Sequence, residues 1–203
     1  MDKIKIYDFD KTLVDCDSIG VLLRIWLRKS FFNFFKLIFY LIKGSFAYLF
    51  SFSFDSFKDK FIPFLKDFTE EELKKFSENL IESHGYKNLI EEIEEDGYTT
   101  ILCSASINSY MKYVKDILGF DYLICTQNDN CHLIGKNNSK EEKARNLKKL
   151  FNEKNIVVDY ENSKSYTDSV KNDKWMCSFT KNKYVVNSEK TYEGYINIDG
   201  INE

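Results

Sequence analysis

The first residues that could do chemistry are two carboxylates near the start of the chain, in the stretch Tyr7-Asp-Phe-Asp-Lys-Thr12. Asp8 and Asp10 follow a short alternating apolar run, which is typical of a strand that ends in a turn. Two interpretations are open at this point. The pair is either an acidic turn in solvent, or a nucleophile and an acid delivered by a strand to a reaction centre.

Polar side chains follow two later apolar runs in the same way. Ser104 comes directly after Tyr98 to Cys103, and Asp168 comes directly after Lys164 to Thr167. Ligands of an open parallel sheet bind at the carboxyl ends of its strands. We therefore expect these two residues to lie beside the first pair of acids.

Lys143 is unusual for its place, because it is predicted in the first turn of a helix. A cation there opposes the helix dipole unless an anion lies nearby. Carboxylates, a hydroxyl and a lysine at one sheet edge would suit a magnesium-dependent phosphate site. Hard oxygen ligands hold Mg²⁺, the cations neutralise phosphate charge, and a carboxylate can act as the nucleophile. Each residue alone is more often a turn acid, a helix cap or a surface charge, so their combined order favours the shared site.

The elements that must position these residues alternate along the chain. Predicted strands are Lys3 to Phe9, Tyr98 to Cys103, Tyr122 to Thr126, Lys164 to Thr167 and a last strand at Lys183 to Val186, with Ile156 to Val158 either an edge strand or a loop. Predicted helices run from a capping box at Thr69 to about Ser83, from Tyr86 to Asp96, from Met111 to Leu118, and from a capping box at Ser139 to about Asn152. Outside residues 18 to 85, this alternation predicts an α/β fold with a parallel sheet.

Residues 18 to 85 are predicted to be a helical insert after the first strand, and their composition is unusual. Between Phe31 and Phe64 lie 12 of the 18 phenylalanines of the chain. No acidic residue occurs from Ser18 through Phe54, where the charged residues are Arg24, Arg28, Lys29, Lys36 and Lys43. These charges leave no uncharged stretch near the roughly 18 residues of a membrane-spanning helix, which is therefore disfavoured. Two interpretations stay open: a cap whose aromatic face is buried, or an aromatic and basic surface on an anionic membrane.

Length, charge and cysteine usage exclude other classes. The 203 residues suit one domain that carries an insert, and a net charge of -3 disfavours a nucleic-acid binder. The five cysteines are scattered without a CxxC pair, which favours reduced cytosolic thiols over disulfides or a zinc site. Asp2, Lys3 and Lys5 interrupt the N-terminus before any signal-peptide apolar region forms. We therefore expect a cytoplasmic protein.

Four stretches, taken in order, resemble the motifs of the haloacid dehalogenase (HAD) superfamily of phosphatases. They are Asp8-Phe-Asp-Lys-Thr12, Ile101-Leu-Cys-Ser-Ala-Ser106, Gly135-Lys-Asn-Asn-Ser-Lys-Glu-Glu-Lys143 and Tyr166-Thr-Asp-Ser-Val-Lys-Asn-Asp173. The third stretch and the insert between the first two resemble subfamily IB, the phosphoserine-phosphatase-like branch with a helical cap. The resemblance covers the chain from Lys3 to about Asn187 and assigns no role to residues 188–203.

The resemblance implies a Rossmann-like core of residues 1–15 and 86–203 with an inserted helical cap of the C1 type at residues 16–85. It implies a phosphatase in which Asp8 is the nucleophile that forms an aspartyl-phosphate and Asp10 is the general acid and base. By the same resemblance, the phosphate is bound by Ser104, Lys143 and Thr12, and Mg²⁺ by Asp8, Asp168 and the backbone carbonyl of Asp10. One position departs from the branch: its second acid in the fourth motif falls at Asn172, while Asp173 follows, so either residue could support the metal.

The sequence predicts the type of reaction more specifically than it predicts the substrate. An amino-acid phosphate would want a carboxylate in the cap, and the second motif reads Ser104-Ala-Ser106 where phosphoserine phosphatases typically have Ser-Gly-Gly. Both points favour an anionic or lipid-linked phosphomonoester, with phosphatidylglycerophosphatase-like members of the branch as precedent and with peripheral membrane contact through residues 19–64. The alternatives are a phosphatase for phosphoserine or another small metabolite, a phosphotransferase or phosphonatase, and a non-catalytic membrane- or protein-binding module on the same scaffold.

Overall fold

A parallel sheet built from the β-rich runs lies at the centre of the fold. The structure, a computed structural model, describes residues 1–129 and 132–202. Within those ranges the strands are β1 (Ile4–Tyr7), β2 (Thr99–Ile107), β3 (Tyr122–Thr126), β4 (Lys164–Thr167), β5 (Asn182–Val186) and β6 (Ile196–Ile198). Their order is β3-β2-β1-β4-β5-β6, and every neighbouring pair is parallel. The predicted α/β fold with a parallel sheet is confirmed.

Helices cover this sheet and also form the insert. In the described ranges they are α1 (Ser18–Lys29), α2 (Phe32–Ser51), α3 (Phe54–Phe61), α4 (Glu70–His84), α5 (Lys87–Ile93), α6 (Asn108–Ile117), α7 (Glu141–Lys154) and α8 (Val170–Asp173), with 3-10 helices at Ile62–Asp67 and Cys177–Phe179. Helices α1 to α4 follow one another between β1 and α5. The predicted limits of the cap, residues 16 and 85, fall between elements, and the division into two domains stays a prediction.

Strand β1 lies between β2 and β4, and both of its faces are covered. All four of its side chains are buried, which is typical of a strand inside a parallel sheet with helices on both sides. On one face the Tyr7 ring stacks on that of Tyr166 with centroids 4.4 Å apart, and on the other face Ile4 and Ile6 pack in a cluster that includes Leu147 of α7. This packing fixes the point at which β1 releases the chain into the loop that carries the first two acids.

Some predicted elements differ from the structure in their limits or caps. The strand predicted at Lys183 to Val186 is not the last one, because β6 follows it in the chain and pairs with its outer edge. Ser139 does not cap α7: its hydroxyl accepts a hydrogen bond from the Asn137 amide at 3.1 Å, and the cap position is Lys140 at φ 53°. Residues 156–158 are a loop that makes an isolated bridge between Asp2 and Val158. The helix predicted from Met111 begins earlier, at Asn108.

Part of the insert packs into the hydrophobic core that it shares with the sheet. The Trp26 side chain is fully buried, lies against Phe64, and donates its indole N–H to Asp67 at 2.9 Å. The capping box predicted at the start of α4 is confirmed, since Thr69 and Glu72 exchange hydrogen bonds of 2.8 and 3.2 Å. Some aromatic residues of the insert, such as Trp26 and Phe64, are therefore ordinary core residues.

Helix α2 is different, because its apolar side chains face outward. Of its 20 residues, Asn33 and Gly44 are buried, while Phe32 is 72% and Phe50 85% exposed. The interpretation of a cap whose aromatic face is buried is therefore wrong for this helix. In the part of the chain that the structure describes, α2 is also the one helix that is long and apolar enough to cross a membrane by length and composition. Lys36 and Lys43 nevertheless interrupt its apolar run, so the prediction that a span is disfavoured stays a prediction.

Candidate active site

The predicted site residues meet at the carboxyl edge of the sheet. Asp8 follows β1 and Asp168 follows β4, while Ser104 lies within β2, which continues past its predicted end at Cys103 through a shift in register. Together with Asp10 and Lys143 these residues line one cavity of about 640 Å³. The motif order predicts these side chains at one edge, and the structure brings them together.

Asp8 is held by a buried lysine. Asp8 is 8% exposed, and the Lys143 ammonium lies 2.7 Å from its carboxylate. The same ammonium lies 2.7 Å from the carboxylate of Asp173. Burial disfavours the charged form of Lys143, but the two carboxylates outweigh it and hold the pKa of the lysine above its ordinary value. The misplaced cation of the first turn of α7 is thus explained by two anions beside it.

The Asp8 carboxylate remains electrostatically strained despite this pairing. Burial raises the pKa of Asp8 to about 8, because desolvation exceeds the opposing effect of Lys143 and because Asp173 and Asp168 add repulsion. Burial and then Asp173 likewise raise the pKa of Asp168 to about 6. The site therefore contains more negative charge than its lysine neutralises.

A divalent cation fits this site. Carboxylate oxygens of Asp8, Asp168 and Asp173 all lie within 4.8 Å of one another. Oxygen atoms that share a Mg²⁺ at about 2.1 Å must lie about 3 to 4 Å apart, so these three could converge on one ion with small movements. Three ionised carboxylates and one lysine leave two uncompensated negative charges, which a divalent ion would balance. The donor set is the hard-oxygen set that Mg²⁺ prefers.

The fourth motif places Asp173, not Asn172, in this cluster. Asp173 is 2% exposed, and its carboxylate accepts a hydrogen bond of 2.7 Å from the Thr167 hydroxyl as well as the contact from Lys143. Asn172 lines the cavity nearby. The geometry therefore favours Asp173 as the metal's third carboxylate, while its role stays a prediction.

Asp10 faces the start of the insert. Its carboxylate accepts hydrogen bonds from the Ser18 backbone N–H at 2.7 Å and from the Ser106 hydroxyl at 2.5 Å. Burial raises the pKa of Asp10, and these hydrogen bonds oppose the shift without cancelling it. A carboxyl group whose pKa is raised in this way retains a proton to higher pH, as a general acid must. Ser106 is visible in the second motif, but nothing in the sequence assigns it to Asp10.

Thr12 lies behind the site. Its side chain is fully buried, and its hydroxyl accepts a hydrogen bond of 2.9 Å from the backbone N–H of Asp168. It is not among the residues that line the cavity. Thr12 therefore ties the loop after β1 to the loop after β4, and its predicted contact with phosphate stays a prediction.

Lys58 of α3 is a residue that sequence reasoning missed. Its ammonium donates hydrogen bonds of 2.6 Å both to the carbonyl oxygen of Ala105 and to the side-chain oxygen of Asn137. Burial lowers the pKa of Lys58 to about 8, although Asp10 acts in the opposite direction. The insert thus contributes a cation to the loops that carry the second and third motifs. No local sequence signal distinguishes Lys58 from its exposed neighbour Lys60.

Comparisons with known proteins identify the family and the fold. The family model for haloacid dehalogenase-like hydrolases matches residues 6–176. No curated protein sequence matches the chain. Among solved structures, a protein of unknown function from Bordetella pertussis Tohama I has a TM-score of 0.73 at 15% identity and covers 93% of this chain and 92% of its own.

Two further solved structures share the fold. An apo phosphoserine phosphatase has a TM-score of 0.59 at 17% identity and covers 93% of this chain and 88% of its own. A phospho-aspartyl intermediate analogue of phosphoserine phosphatase has a TM-score of 0.58 at 20% identity and covers 91% and 86%. At these identities the likeness shows a common fold, which includes the helical insert because nearly the whole chain is covered.

Proposed function

The chain belongs to the haloacid dehalogenase-like hydrolases. We propose that it is a member of the phosphoserine-phosphatase-like branch, whose fold it shares, and a Mg²⁺-dependent phosphomonoester phosphatase that acts through an aspartyl-phosphate. Family membership confirms the predictions of the superfamily and of an enzyme. The single observation that carries the proposed reaction is the buried cluster around Asp8, where a lysine and two further carboxylates surround one carboxylate at the floor of an open cavity.

In the first step an oxygen of the Asp8 carboxylate attacks the phosphorus of the ester. The bond between phosphorus and the ester oxygen breaks, and the departing oxygen takes the proton of Asp10. In the second step Asp10 takes a proton from water, whose oxygen attacks the same phosphorus, so that inorganic phosphate leaves and the Asp8 carboxylate is restored. In this proposal the other phosphate oxygens contact Ser104 and Lys143, which both line the cavity.

Asp8, Asp168 and Asp173 would hold Mg²⁺ together with the backbone carbonyl of Asp10 that the family resemblance implies. When bound, the ion offsets the repulsion between the Asp8 carboxylate and the anionic phosphate. Without a cation, the raised pKa of Asp8 would leave part of the nucleophile protonated near neutral pH. A cation that favours the ionised carboxylate therefore also serves to prepare it for attack.

The test is hydrolysis of p-nitrophenyl phosphate by purified protein with and without Mg²⁺. We expect Asp8→Asn to abolish the Mg²⁺-dependent rate, while Asp116→Asn, an exposed surface acid of α6, should keep it. Equal rates for the wild type and Asp8→Asn would refute the proposed reaction. An inactive wild type with a bound and stabilising Mg²⁺ would favour the non-catalytic module instead.

We propose further that α2 lies in the interface of an anionic membrane, at its cytoplasmic face. The support is an exposed aromatic surface, which we call the α2 aromatic surface. Its members, each at least 40% exposed, are Phe31, Phe32, Phe34, Phe35, Ile38, Phe39, Leu41, Ile42, Phe46, Tyr48, Leu49, Phe50 and Phe52. Contiguous apolar surface of this extent marks an interaction site in a soluble protein.

Charge favours an anionic bilayer as the partner. Residues 18 to 54 contain no acid. Lys29 and Lys36 pair with Glu72 and Asp67 from outside this segment, so its remaining positive charge comes from Arg24, Arg28 and Lys43. Such a helix binds anionic lipid headgroups through its basic residues and buries its apolar side chains a short way into the bilayer. The four described cysteines are free thiols, which suits the cytoplasmic side.

An interfacial position suits α2 better than a membrane span. The Lys36 ammonium pairs with Asp67 at 2.9 Å, and the Asn33 amide donates to the Trp26 carbonyl at 2.7 Å. A spanning α2 would either break these contacts or carry charged groups of the insert into hydrocarbon, where each charge costs about 3 kcal/mol or more. A helix that lies along the surface keeps them in place.

Sedimentation with lipid vesicles tests this position. We expect the wild type to sediment with vesicles that contain phosphatidylglycerol and to remain largely in solution with neutral phosphatidylcholine vesicles. A variant with Phe32, Phe35 and Phe39 changed to Ser should lose most of the binding, while Val157→Ser, an exposed apolar residue outside the insert, should retain it. A wild type that ignores anionic vesicles would refute interfacial binding. A protein that only detergent releases would favour a span.

Within this proposal, the substrate is an amphipathic phosphomonoester that reaches the enzyme at the membrane surface. A second candidate is a soluble phosphate that carries an ammonium group, as phosphoserine does. One observation favours it: Asp17 lines the catalytic cavity, although its carboxylate is engaged by the Gly20 N–H at 3.1 Å as the cap of α1. Relative kcat/KM on lipid phosphates, glycerol phosphate and phosphoserine separates the two. A preference for phosphoserine that Asp17→Asn removes would support the second candidate.

A further inference from the structure

An apolar groove of about 360 Å³ runs between α2 and α3. It is lined by Ser45, Tyr48, Leu49, Phe54 and Phe57. Four of these five side chains are aromatic or aliphatic, and no charged residue contributes. A groove with this lining suits an apolar ligand rather than a second charged or polar group.

The groove borders the catalytic cavity. Tyr48 and Phe54 line both spaces, and the catalytic cavity also contains Asp8 and Asp10. A molecule that places its phosphate beside Asp8 can therefore extend past these two rings into the groove. The phosphate of such a molecule would lie among polar side chains and its apolar part among apolar ones.

Close packing of the two helices gives the groove a fixed floor. Gly44 of α2 is buried, and a Cβ atom there would lie 2.8 Å from the Phe57 ring and 3.2 Å from the Phe57 carbonyl oxygen. The Phe57 ring also stacks between those of Phe54 and Phe61, with centroids 5.7 and 5.9 Å away. Phe57 therefore forms the floor of the groove, and its ring is held by the contact with Gly44 and by the rings on either side.

The walls, in contrast, are open to a ligand. Tyr48 is 45%, Phe54 58% and Leu49 62% exposed. Tyr48 and Leu49 also belong to the α2 aromatic surface, so in the absence of a bilayer the apolar surface of the walls is removed from water only when something apolar lies in the groove. Since the groove adjoins the site where the phosphate must lie, an apolar part of the substrate itself is the occupant that the position favours.

We propose that the groove between α2 and α3 binds the hydrocarbon chain of the substrate while its phosphate lies beside Asp8. This inference rests on the proposed phosphatase activity and names the class of substrate: a phosphomonoester joined to a single alkyl or acyl chain. The groove would hold one hydrocarbon chain of a substrate molecule. This contact is separate from the proposed contact between α2 and the bilayer.

The test is a series of alkyl phosphates from propyl to octyl, each used below its micelle concentration and without vesicles, so that membrane binding plays no part. We expect kcat/KM to rise roughly two- to fourfold for each added methylene until the groove is filled, as burial of one methylene predicts. Equal kcat/KM values across the series would refute binding of the hydrocarbon chain in the groove. If the protein hydrolysed neither the alkyl phosphates nor p-nitrophenyl phosphate, the proposed phosphatase activity itself would be refuted.

Two variants locate the effect. Ser45→Trp fills the groove and Leu49→Asn makes its wall polar, and both sites are exposed on α2, so that the fold tolerates the change. Each should reduce the ratio of kcat/KM for octyl over propyl phosphate about tenfold or more, whereas Val157→Asn should keep the wild-type ratio. A ratio that neither groove variant alters would overturn the proposal, as would sedimentation data showing that a second copy covers α2.

Discussion

The carboxyl edge of the sheet, where the proposed active site lies and which we call the catalytic edge, buries ionisable residues, whereas helix α2 exposes apolar ones. At the catalytic edge, the ionisable residues Asp8, Lys143 and Asp173 are buried. On α2, phenylalanine side chains such as Phe32 and Phe50 are mostly exposed. Charged residues are rarely buried and large apolar patches are rarely exposed in soluble proteins. Neither arrangement is explained by stability, which is why each points to something that binds there.

The two regions differ in how their unfavourable groups are compensated. Buried charges at the catalytic edge are paired with one another, and removal of one partner leaves a costly unpaired charge. The rings of α2 have few partners within the protein, so removal of one should cost the fold little. The first region should therefore respond to mutation with large losses, and the second with losses that appear only when its partner is present.

The largest expected effect comes from Lys143→Met, which would leave Asp8 and Asp173 repelling each other. We expect kcat/KM for p-nitrophenyl phosphate to fall about 10³-fold or more, because a buried cation at the reacting phosphate is lost. The control is Lys149→Met on the exposed side of the same helix, where the lysine is 72% exposed. A variant at Lys143 that keeps wild-type activity would contradict the role of the buried pair.

The next effect is on proton transfer. Asp10→Asn should reduce kcat for an alkyl phosphate about 10²- to 10³-fold and reduce it less for p-nitrophenyl phosphate, whose leaving group needs no proton. The raised pKa of Asp10 keeps the acid protonated to higher pH, so the first step on alkyl phosphates should slow as pH rises through that pKa. The Asn variant should lack this decline. Identical pH profiles for the two proteins would exclude Asp10 as the acid.

Magnesium should stabilise the folded protein through the carboxylate cluster. An ion at 100 times its Kd adds about 2.7 kcal/mol to the free energy of unfolding. We expect Mg²⁺ to raise Tm for the wild type, EDTA to reverse the rise, and Asp168→Asn to lose most of it. Asp116→Asn should behave as the wild type does. A Tm that Mg²⁺ leaves unchanged would show that the cluster holds no ion, whatever the activity.

The smallest expected effect concerns Lys58, the cation that links the insert to the catalytic edge. Its folded pKa is lowered to about 8 from an ordinary 10.5, so between these values the unfolded chain holds a proton that the folded chain has released. The free energy of unfolding should therefore rise with pH in this window, by about 1 to 3 kcal/mol. Urea unfolding at pH 7.5 and 9.5 should show this rise in the wild type and not in Lys58→Met. An equal change in both proteins would mean that Lys58 is not buried in solution.

The catalytic edge is largely predictable from the sequence because its residues lie at strand ends in a recognisable order. That order alone assigns Asp8, Asp10, Lys143 and Asp168 to one site. It leaves open the choice between Asn172 and its neighbour, since that choice depends on how the short helix α8 turns its side chains. Lys58 was missed because it joins the site through tertiary contacts to residues far along the chain.

The orientation of α2 could not be decided from the sequence, because a buried and an exposed aromatic helix can share one composition. The exposure of its rings depends on Gly44, Lys36 and Asn33, which fix the side that packs on the rest of the insert. Strand β6 was missed because three residues after a polar loop give too short a pattern. Ser139 has the spacing of a helix cap, but its hydroxyl bonds to Asn137 instead.

The most direct test of the central claim is to locate the phosphoryl group during turnover. Wild-type protein mixed with Mg²⁺ and p-nitrophenyl phosphate is quenched in acid within the first turnover, and its peptides are examined by mass spectrometry. We predict one phosphoryl group on Asp8, in the peptide that also contains Asp10, and none in Asp8→Asn. Turnover that leaves Asp8 unmodified, or a phosphoryl group on another residue, would contradict the account.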